Sequence, residues 1–532
     1  MQRLAIATVL CAAALSAQTA APGNRPERLE WFRDQGFGLF IHWSVDSQLG
    51  VVISHSLVGA SDDFTRRFFT ELPNTFNPRK FHAQDWAVLA KLAGVKYVVF
   101  TTKHHSGFAM WDTATTSFGI NHTPFHRDIV AEVLAAFREQ AIAPGIYFSP
   151  DDFHWLHSNG VLVDRRRAET LPINNPGLMA LNQAQVKELL TRYGPISIAF
   201  FDGPPERLRE EAWELQPGIV VTRGAMATPE QNVPGVPIDE AWEACITMGT
   251  AWQYQPQNER YKSGGQLISL LVETRAKGGN LLLNVGPKPD GELPIEQEER
   301  LRELALWMFV NGEAIYGVRP WAITNEQNIW FTKKKNEDTV YAIVKEPWMR
   351  GRWKDLVLHS LRATEQTDIA VLGQNDRVLE YQEQVVPKTT FQQAADGLHI
   401  HAMRTQRLQD NSQWPNPAVL RITHVKPALA PPRVETGRAV PSGPGVTLSA
   451  TLGALGDAQS VEVGFEYRSL AGLDSNERSG EWRATAWQRL SAPGPFSATV
   501  SGWATGEPHE FRAVVKHPVL TIYGEAKRAT VP

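Results

Sequence analysis

The stretch Tyr97-Val98-Val99-Phe100-Thr101-Thr102-Lys103-His104-His105 passes from unbroken β-type residues to a cation and two imidazoles. A second run, Ile196 to Phe201, ends the same way at Phe200-Phe201-Asp202-Gly203. Neither run alternates apolar with polar residues, so each is expected to be a strand buried on both faces, as in a parallel sheet covered by helices. Polar groups gathered where such strands end mark the face on which a parallel α/β barrel carries its active site.

Working outward, strand-like segments at Phe37 to His42, Ala143 to Ser149, Gly218 to Thr222, Ala244 to Met248 and Asn280 to Val285 join the two runs. Helical patterns at Asp85 to Ala93, Asp128 to Gln140, Ala184 to Tyr193, Ser263 to Lys277 and Ile295 to Val310 fall between them. This alternation predicts a (β/α) TIM-like barrel over residues 22–322. An open doubly wound sheet is the alternative, but it would normally place a glycine-rich phosphate turn after its first strand, and Phe40-Ile41-His42-Trp43 is no such turn. After Trp321 the texture changes to short β-type pieces such as Ile329 to Thr332 and Thr339 to Val344, which predict a β-sandwich over 323–427. Pro427-Ala428-Leu429-Ala430-Pro431-Pro432 reads as a stiff linker. Beyond it, alternating runs at Val461 to Tyr467, Phe496 to Val500 and His509 to Val515 predict a second small, fibronectin-type-III-like β domain over 428–532.

Over 532 residues the formal charge is only −4, with acids and bases interspersed, so no basic stripe invites nucleic acid. No stretch after the first twenty residues approaches membrane-spanning length, which argues against membrane insertion. Arg3, the apolar segment Leu4 to Leu15 and small residues through Ala21 have the layout of a cleaved signal peptide over 1–21, and hence of a secreted or periplasmic protein. Val9-Leu10 before Cys11 speaks against a lipoprotein anchor. Cleavage would leave Cys245 as the only cysteine, so no internal disulfide can form. Its apolar setting, Ala244-Cys245-Ile246, favours a buried structural thiol over a nucleophile.

Asp202 follows a fully apolar strand, where a carboxylate needs a partner or a task; capping the next helix at Pro204-Pro205-Glu206 is the plain alternative. His104 and His105 can line one pocket only if the strand has ended and the backbone turns. Further metal ligands at short helical spacing are missing from the sequence, so hydrogen bonding to a polyhydroxylated ligand is favoured over a metal, and no cofactor is expected. Aromatic residues crowd these strand ends: Phe40 and Trp43 flank His42, Tyr147 ends its strand, Phe200 precedes Asp202, and Trp252 follows a later strand. Strand alternation puts Phe40 with His42 and Phe200 with Asp202. Such a set suits a sugar, with ring faces for C–H edges and polar tips for hydroxyls.

These segments resemble the α-L-fucosidases of glycoside hydrolase family 29. The resemblance rests on Trp31-Phe32-Arg33-Asp34, Phe37 to Trp43, Tyr97 to His105, Phe201-Asp202-Gly203, Trp242-Glu243, Lys277 to Pro287 and Asn311 to Tyr316, and covers about residues 28 to 322. It implies a (β/α) barrel followed by a β-sandwich, cofactor-free retaining hydrolysis of α-L-fucosides, and fucosylated oligosaccharides or glycoconjugates as substrates. By carry-over it makes Asp202 the nucleophile. His42, His104, His105, Tyr147 and Arg223 would hold the fucose ring, and Phe40 and Trp252 would face its methyl group. Retention needs a second carboxyl about 5 to 5.5 Å away. Glu230, in a loop after a strand and stiffened by Pro229, is favoured as acid/base over Glu243, which should sit at the opposite barrel face, and over Glu240. Thr228-Pro229-Glu230-Gln231 resembles the family branch restricted to α-1,3/1,4-linked fucose. One departure stands out: where many relatives carry a Glu-Trp pair, this chain has Val52 to Ser61, including His55, which reads as a surface loop histidine, with a substitute polar contact as the alternative. A fucose-binding module on a degenerate barrel is the competing expectation.

Overall fold

A computed structural model describes residues 23–257, 259–408, 416–442, 445–470, 482–503 and 506–530; the expected signal segment lies outside them. Seven strands form one curled parallel sheet: β1 (Phe37–Ile41), β2 (Tyr97–Lys103), β3 (Ala143–Phe148), β4 (Ile198–Phe201), β5 (Val220–Val221), β6 (Glu243–Thr247) and β7 (Asn280–Val285), in the order β5-β4-β3-β2-β1-β7-β6. The loop leaving β5 supplies an eighth, irregular stave on the free edge of β6. Gln231 N donates to Cys245 O at 2.9 Å and Cys245 N to Pro229 O at 3.0 Å. The TIM-like barrel expected from the alternation is therefore present, with one stave made of loop.

Strand alternation sorts the side chains into two cores. Leu39, Ile41, Val98, Phe100, Ile146, Phe148, Phe201, Ile246 and Leu283 point outward into the large core beneath the helices. Phe40, Val99, Tyr147, Ile198, Phe200, Cys245 and Leu282 point inward and fill the lumen. Both faces are apolar, so the sequence shows no period of two. Gly38 on β1 makes room for the lumen filling, because a β-carbon there would lie 2.3 Å from the Tyr97 ring.

The helices around this sheet are α1 (Pro26–Gln35), α2 (Asp62–Thr75), α3 (Ala83–Leu92), α4 (Ile129–Glu139), α5 (Phe153–Ser158), α6 (Pro176–Arg192), α7 (Leu208–Leu215), α8 (Gly264–Ala276) and α9 (Ile295–Asn311). Side-chain caps fix several of their starts: Ser61 accepts from Phe64 N, Asp128 from Ala131 N, and Ser263 pairs with Gln266 in a capping box. Among the described residues no helix is long and apolar enough to cross a membrane.

The antiparallel part begins at Val318. A five-stranded sheet (Val318–Glu326, Ile329–Lys334, Val340–Val344, Asp368–Val371, Ala418–Thr423) shares a core with a three-stranded sheet (Trp353–Leu358, Thr390–Ala394, Gly397–Met403) through Phe331, Ala342, Leu358 and Ile400. A third core, around Leu448, Val463, Phe465 and Val515, joins the strands from Arg433 onward. The proline-rich stretch, read as a stiff linker, is tied at both ends. Lys426–Pro427 pairs with Leu361–Arg362, Ala428 N donates to Ser360 O at 2.8 Å, and Ala430 N donates to Asp457 at 2.6 Å. Its prolines withhold donors, but the alanine amides between them supply the ties.

Candidate active site

The site lies where the inward-facing residues pass beyond their strands. Asp202 follows β4 directly and keeps one-fifth of its side chain exposed at the floor of the opening. Tyr147 Oη donates to its Oδ2 at 2.7 Å, and Arg223 Nη1 donates to its Oδ1 at 3.2 Å. Burial would raise the Asp202 pKa, but Arg223, Arg165, His104 and the Tyr147 hydroxyl hold it down to about 2. The group is an anion with organised partners rather than a helix cap.

Arg223, just after β5, gathers the rest. Its Nη1 and Nη2 donate to Glu230 Oε2 at 3.1 and 3.2 Å, its Nε to Thr228 Oγ1 at 3.2 Å, and its guanidinium lies 4.8 Å from the centre of the Phe200 ring. Asp202 and Glu230 therefore accept from the same nitrogen and stand within two hydrogen-bond lengths of each other. Glu230 is the more open of the two, with 42 % of its side chain exposed.

The expected histidines converge as the ended strand requires. β2 carries a register shift between Thr101 and Lys103, and the His104 and His105 rings stand 4.0 Å apart beyond it. His104 stacks parallel on Tyr147 and bonds Ser54 Oγ at 2.9 Å; His105 bonds Ser149 Oγ at 2.6 Å and places Nε2 3.5 Å from Asp202. His42 bonds Asn284 Oδ1 at 2.6 Å, and Asn284 also donates to Trp252 O at 2.6 Å, so one side chain sets both groups. Burial lowers all three imidazoles, His42 to about 4, and His104 and His105 well below the usual histidine range. They are neutral groups able to accept as well as donate. Phe40 packs on His42, Phe200 and Trp252 and completes an aromatic wall.

Trp43 is the exception. It is fully buried against Phe76, Phe81 and Trp86, outside the barrel wall. One residue past His42 on the same chain direction, it takes the opposite face, and the expectation that it binds substrate is overturned. Glu243, at the first residue of β6, sits at the far end of the lumen, where it accepts from Tyr97 Oη at 2.8 Å. Glu240 is exposed on the loop entering β6. Cys245 is buried with Sγ 3.6 Å from Pro229 O, and its thiol is pushed well up by burial.

Arg165 escapes sequence reasoning, and His55 meets the pocket as the polar contact that its loop offered as an alternative. Arg165, from the loop after α5, donates through Nε to buried Asp151 at 2.6 Å and brings Nη2 3.7 Å from Asp202 Oδ1. His55 is exposed as expected, yet its ring lies 5.3 Å from His105 and 6.1 Å from His104. Neighbouring Ser54 takes a left-handed backbone (φ 58°), which aims its hydroxyl at His104 and at Ser106 N. No spacing rule announces these loop contacts.

Donor atoms of His104, His105 and Asp202 lie within 4.8 Å of one another and could in principle hold a cation. Asp202 already faces two guanidinium groups, however, and their charge opposes a divalent ion there. A carboxylate held ionised beside a second, more open one, under neutral imidazoles and an aromatic wall at the C-terminal mouth of a barrel, is the arrangement of a glycoside hydrolase.

Comparison with known proteins narrows the class. The family model described as α-L-fucosidase matches residues 9–313. Rat plasma α-L-fucosidase is 31 % identical over 393 residues, spanning 64 % of this chain and 82 % of the rat protein. In structure, the α-L-fucosidase isoenzyme 1 of Paenibacillus thiaminolyticus matches with a TM-score of 0.61 at 27 % identity, covering 75 % of this chain and 99 % of that one. The Thermotoga maritima α-fucosidase in complex with a mechanism-based inhibitor matches with a TM-score of 0.58 at 26 % identity, covering 74 % of this chain and 96 % of that one. The chain belongs to the α-L-fucosidase family, glycoside hydrolase family 29.

Proposed function

We propose that this protein is a retaining exo-α-L-fucosidase that releases terminal fucose from glycans through a covalent ester on Asp202. The observation that carries the reading is Arg223, whose Nη1 holds Asp202 and Glu230 together. The ionised Asp202 attacks the anomeric carbon as Glu230 protonates the departing oxygen; Glu230 then takes a proton from the water that cleaves the ester. The neutral imidazoles of His42, His104 and His105, with Tyr147, exchange hydrogen bonds with ring hydroxyls. Phe40 and Trp252 cover the C6 methyl and leave a 6-hydroxyl without a partner, which disfavours galactose. A covalent route also agrees with the mechanism-based inhibitor bound by the Thermotoga relative.

Asp202→Gly abolishes turnover, and added azide restores part of it with an inverted product; near wild-type activity in that variant rejects the assignment. Glu230→Ala costs far more on a substrate with a poor leaving group than on an activated one. If Glu243→Ala shows that pattern instead, Glu243 is the acid. Branched glycans carrying α-1,3/1,4-linked fucose are cleaved faster than a 4-nitrophenyl fucoside or an α-1,2-fucosyl lactose, because contacts to the remaining sugars position the leaving oxygen. The apolar segment Leu4 to Leu15 supports export as a secreted or periplasmic enzyme.

A further inference from the structure

Asp46 is a fully buried carboxyl group that the proposed chemistry does not use. It sits on the short turn Val45–Gln48 that follows β1, and its Oδ2 accepts from Ser54 N at 2.6 Å. Ser54 is held there with φ at 58°, a conformation that is strained for serine and open to glycine. A carboxyl oxygen bonded to the amide of the strained residue offsets that cost. The turn brings Ser54 Oγ to His104 Nδ1 and to Ser106 N, each at 2.9 Å.

The donors settle which way these bonds run. Ser106 N can only donate, so Ser54 Oγ accepts there and still has its own proton to place. Ser54 is fully buried, so that proton cannot go to solvent, and His104 Nδ1 is the acceptor within reach. Neutral His104 then carries its proton on Nε2, the nitrogen left for a ligand. His42 is held the other way round. Asn284 donates its amide to Trp252 O at 2.6 Å, which turns its Oδ1 towards His42 Nδ1, also at 2.6 Å. His42 Nδ1 therefore donates, and its Nε2 is a bare acceptor. Two imidazoles whose rings stand 5.8 Å apart thus offer opposite hydrogen-bond polarity.

We propose that Asp46 and Ser54 are positioning residues that fix His104 as an Nε2–H donor, so that a sugar hydroxyl meeting His104 must accept while one meeting His42 must donate. The proposal rests on the fucosidase reading for the identity of the sugar, and on the hydrogen bonds alone for the state of His104. Neither Asp46 nor Ser54 touches the sugar; each acts through the imidazole.

The test joins nitrogen NMR of protein carrying isotopically labelled histidine to inhibition by altered fucoses. The His104 signals, identified by their loss in His104→Gln, should show Nε2 protonated and Nδ1 as a hydrogen-bonded acceptor, and in Ser54→Gly the two nitrogens should average between tautomers. Inhibition constants of the monodeoxy and monofluoro derivatives of L-fucose are then measured against cleavage of a fucosylated oligosaccharide. A C–F group accepts weakly and cannot donate, so at the ring position met by His104 the fluoro sugar should bind roughly fivefold better than the deoxy sugar. Ser54→Gly, which suits the turn but lacks the hydroxyl, should abolish that preference. Asp46→Ala should abolish it too, and Asp46→Asn, which keeps an acceptor for Ser54 N, should retain it. A wild-type His104 protonated on Nδ1, or a fluoro preference that survives Ser54→Gly, overturns the proposal, and a preference that survives Asp46→Ala overturns the part given to Asp46. If the wild type cleaves no fucoside, the fucosidase reading alone falls, and the nitrogen spectra still decide the state of His104.

Discussion

Asp202 and Glu243 both face the lumen of one barrel, from opposite ends, and the protein keeps them in different states. Burial disfavours charge on each. At the C-terminal mouth, Arg223 and Arg165 overcome it and hold Asp202 down to about 2. At the far end Glu243 is fully buried with the Tyr97 hydroxyl, and its carboxyl is pushed up to about 7. A buried guanidinium does exist there, but Arg275 donates to the carbonyls of Ile315 and Gly279 rather than to Glu243. Depth in the barrel is thus not what makes a carboxylate reactive. The loops that follow the strands bring the cations, and they do so at one end only.

The comparison breaks most sharply by placing the isosteric amide at each end. Asp202→Asn should lower kcat/KM by at least about a thousandfold, since the nucleophile itself is removed. Steady-state assays in which this variant stays within tenfold of wild type would remove Asp202 from the chemistry. Next in size is Arg165→Met, expected to lower kcat/KM by about ten- to a hundredfold. The acidic limb of its pH profile should also move up. Burial then acts on Asp202 against Arg223, His104 and the Tyr147 hydroxyl without Arg165, and the carboxyl protonates nearer its ordinary value of 3.8. Arg165→Lys should restore part of the original limb, whereas a loss of activity with the limb unmoved would assign Arg165 to loop structure. His55, Asp151 and Glu230 also border this guanidinium or the nucleophile, so the profile is best compared with that of His55→Ala in parallel.

Much of this comparison was legible in the chain, and the reason is geometric. A strand buried on both faces has nothing polar until it ends, so His104, His105 and Asp202 announced both the barrel and its active face. The same alternation that joins Phe40 to His42 puts Trp43 on the outer face, although its aromatic neighbours in sequence suggest the pocket. Arg165 was not legible at all. It stands in Asp164-Arg165-Arg166-Arg167, where nothing local separates the arginine that enters the pocket from the two that stay near the surface, and only the loop's path past Asp151 makes the choice. His55 is exposed, as a loop histidine is expected to be, but its contact with the paired histidines depends on the backbone turn at Ser54. The proline-rich stretch shows the same limit: composition reports stiffness, while the hydrogen bonds of Ala428 and Ala430 depend on what lies alongside.

A smaller effect separates the two faces of β1. Trp43→Phe should lower stability by about 1 to 3 kcal/mol through lost packing on Phe76, Phe81 and Trp86, and leave KM unchanged. Phe40→Ala, one strand position before Ile41 and facing the lumen, should instead raise KM for fucosides. Thermal unfolding alongside kinetics checks both, and a raised KM in Trp43→Phe would return that residue to the pocket.

The smallest effect on activity should come from Glu243→Gln, and there the sign of the pH dependence is informative. In the folded chain Glu243 keeps its proton up to about 7, whereas in the unfolded chain it loses it near 4.5. Between those values the folded state binds more protons, so its contribution to stability is present below about 4.5 and is lost as pH rises through about 7. Asp202 behaves oppositely: its contribution is present above its unfolded value of 3.8 and disappears as pH falls towards 2. A neutral amide at 243 can still accept from Tyr97 and has no proton to lose. The variant should therefore match wild type in denaturant unfolding near pH 4.5 and exceed it by a few kcal/mol above pH 7, with kcat/KM changed by less than about threefold. A stability gap that stays constant between those pH values would mean that Glu243 is ionised in the folded barrel, and the contrast between the two ends of the lumen would lose its electrostatic basis.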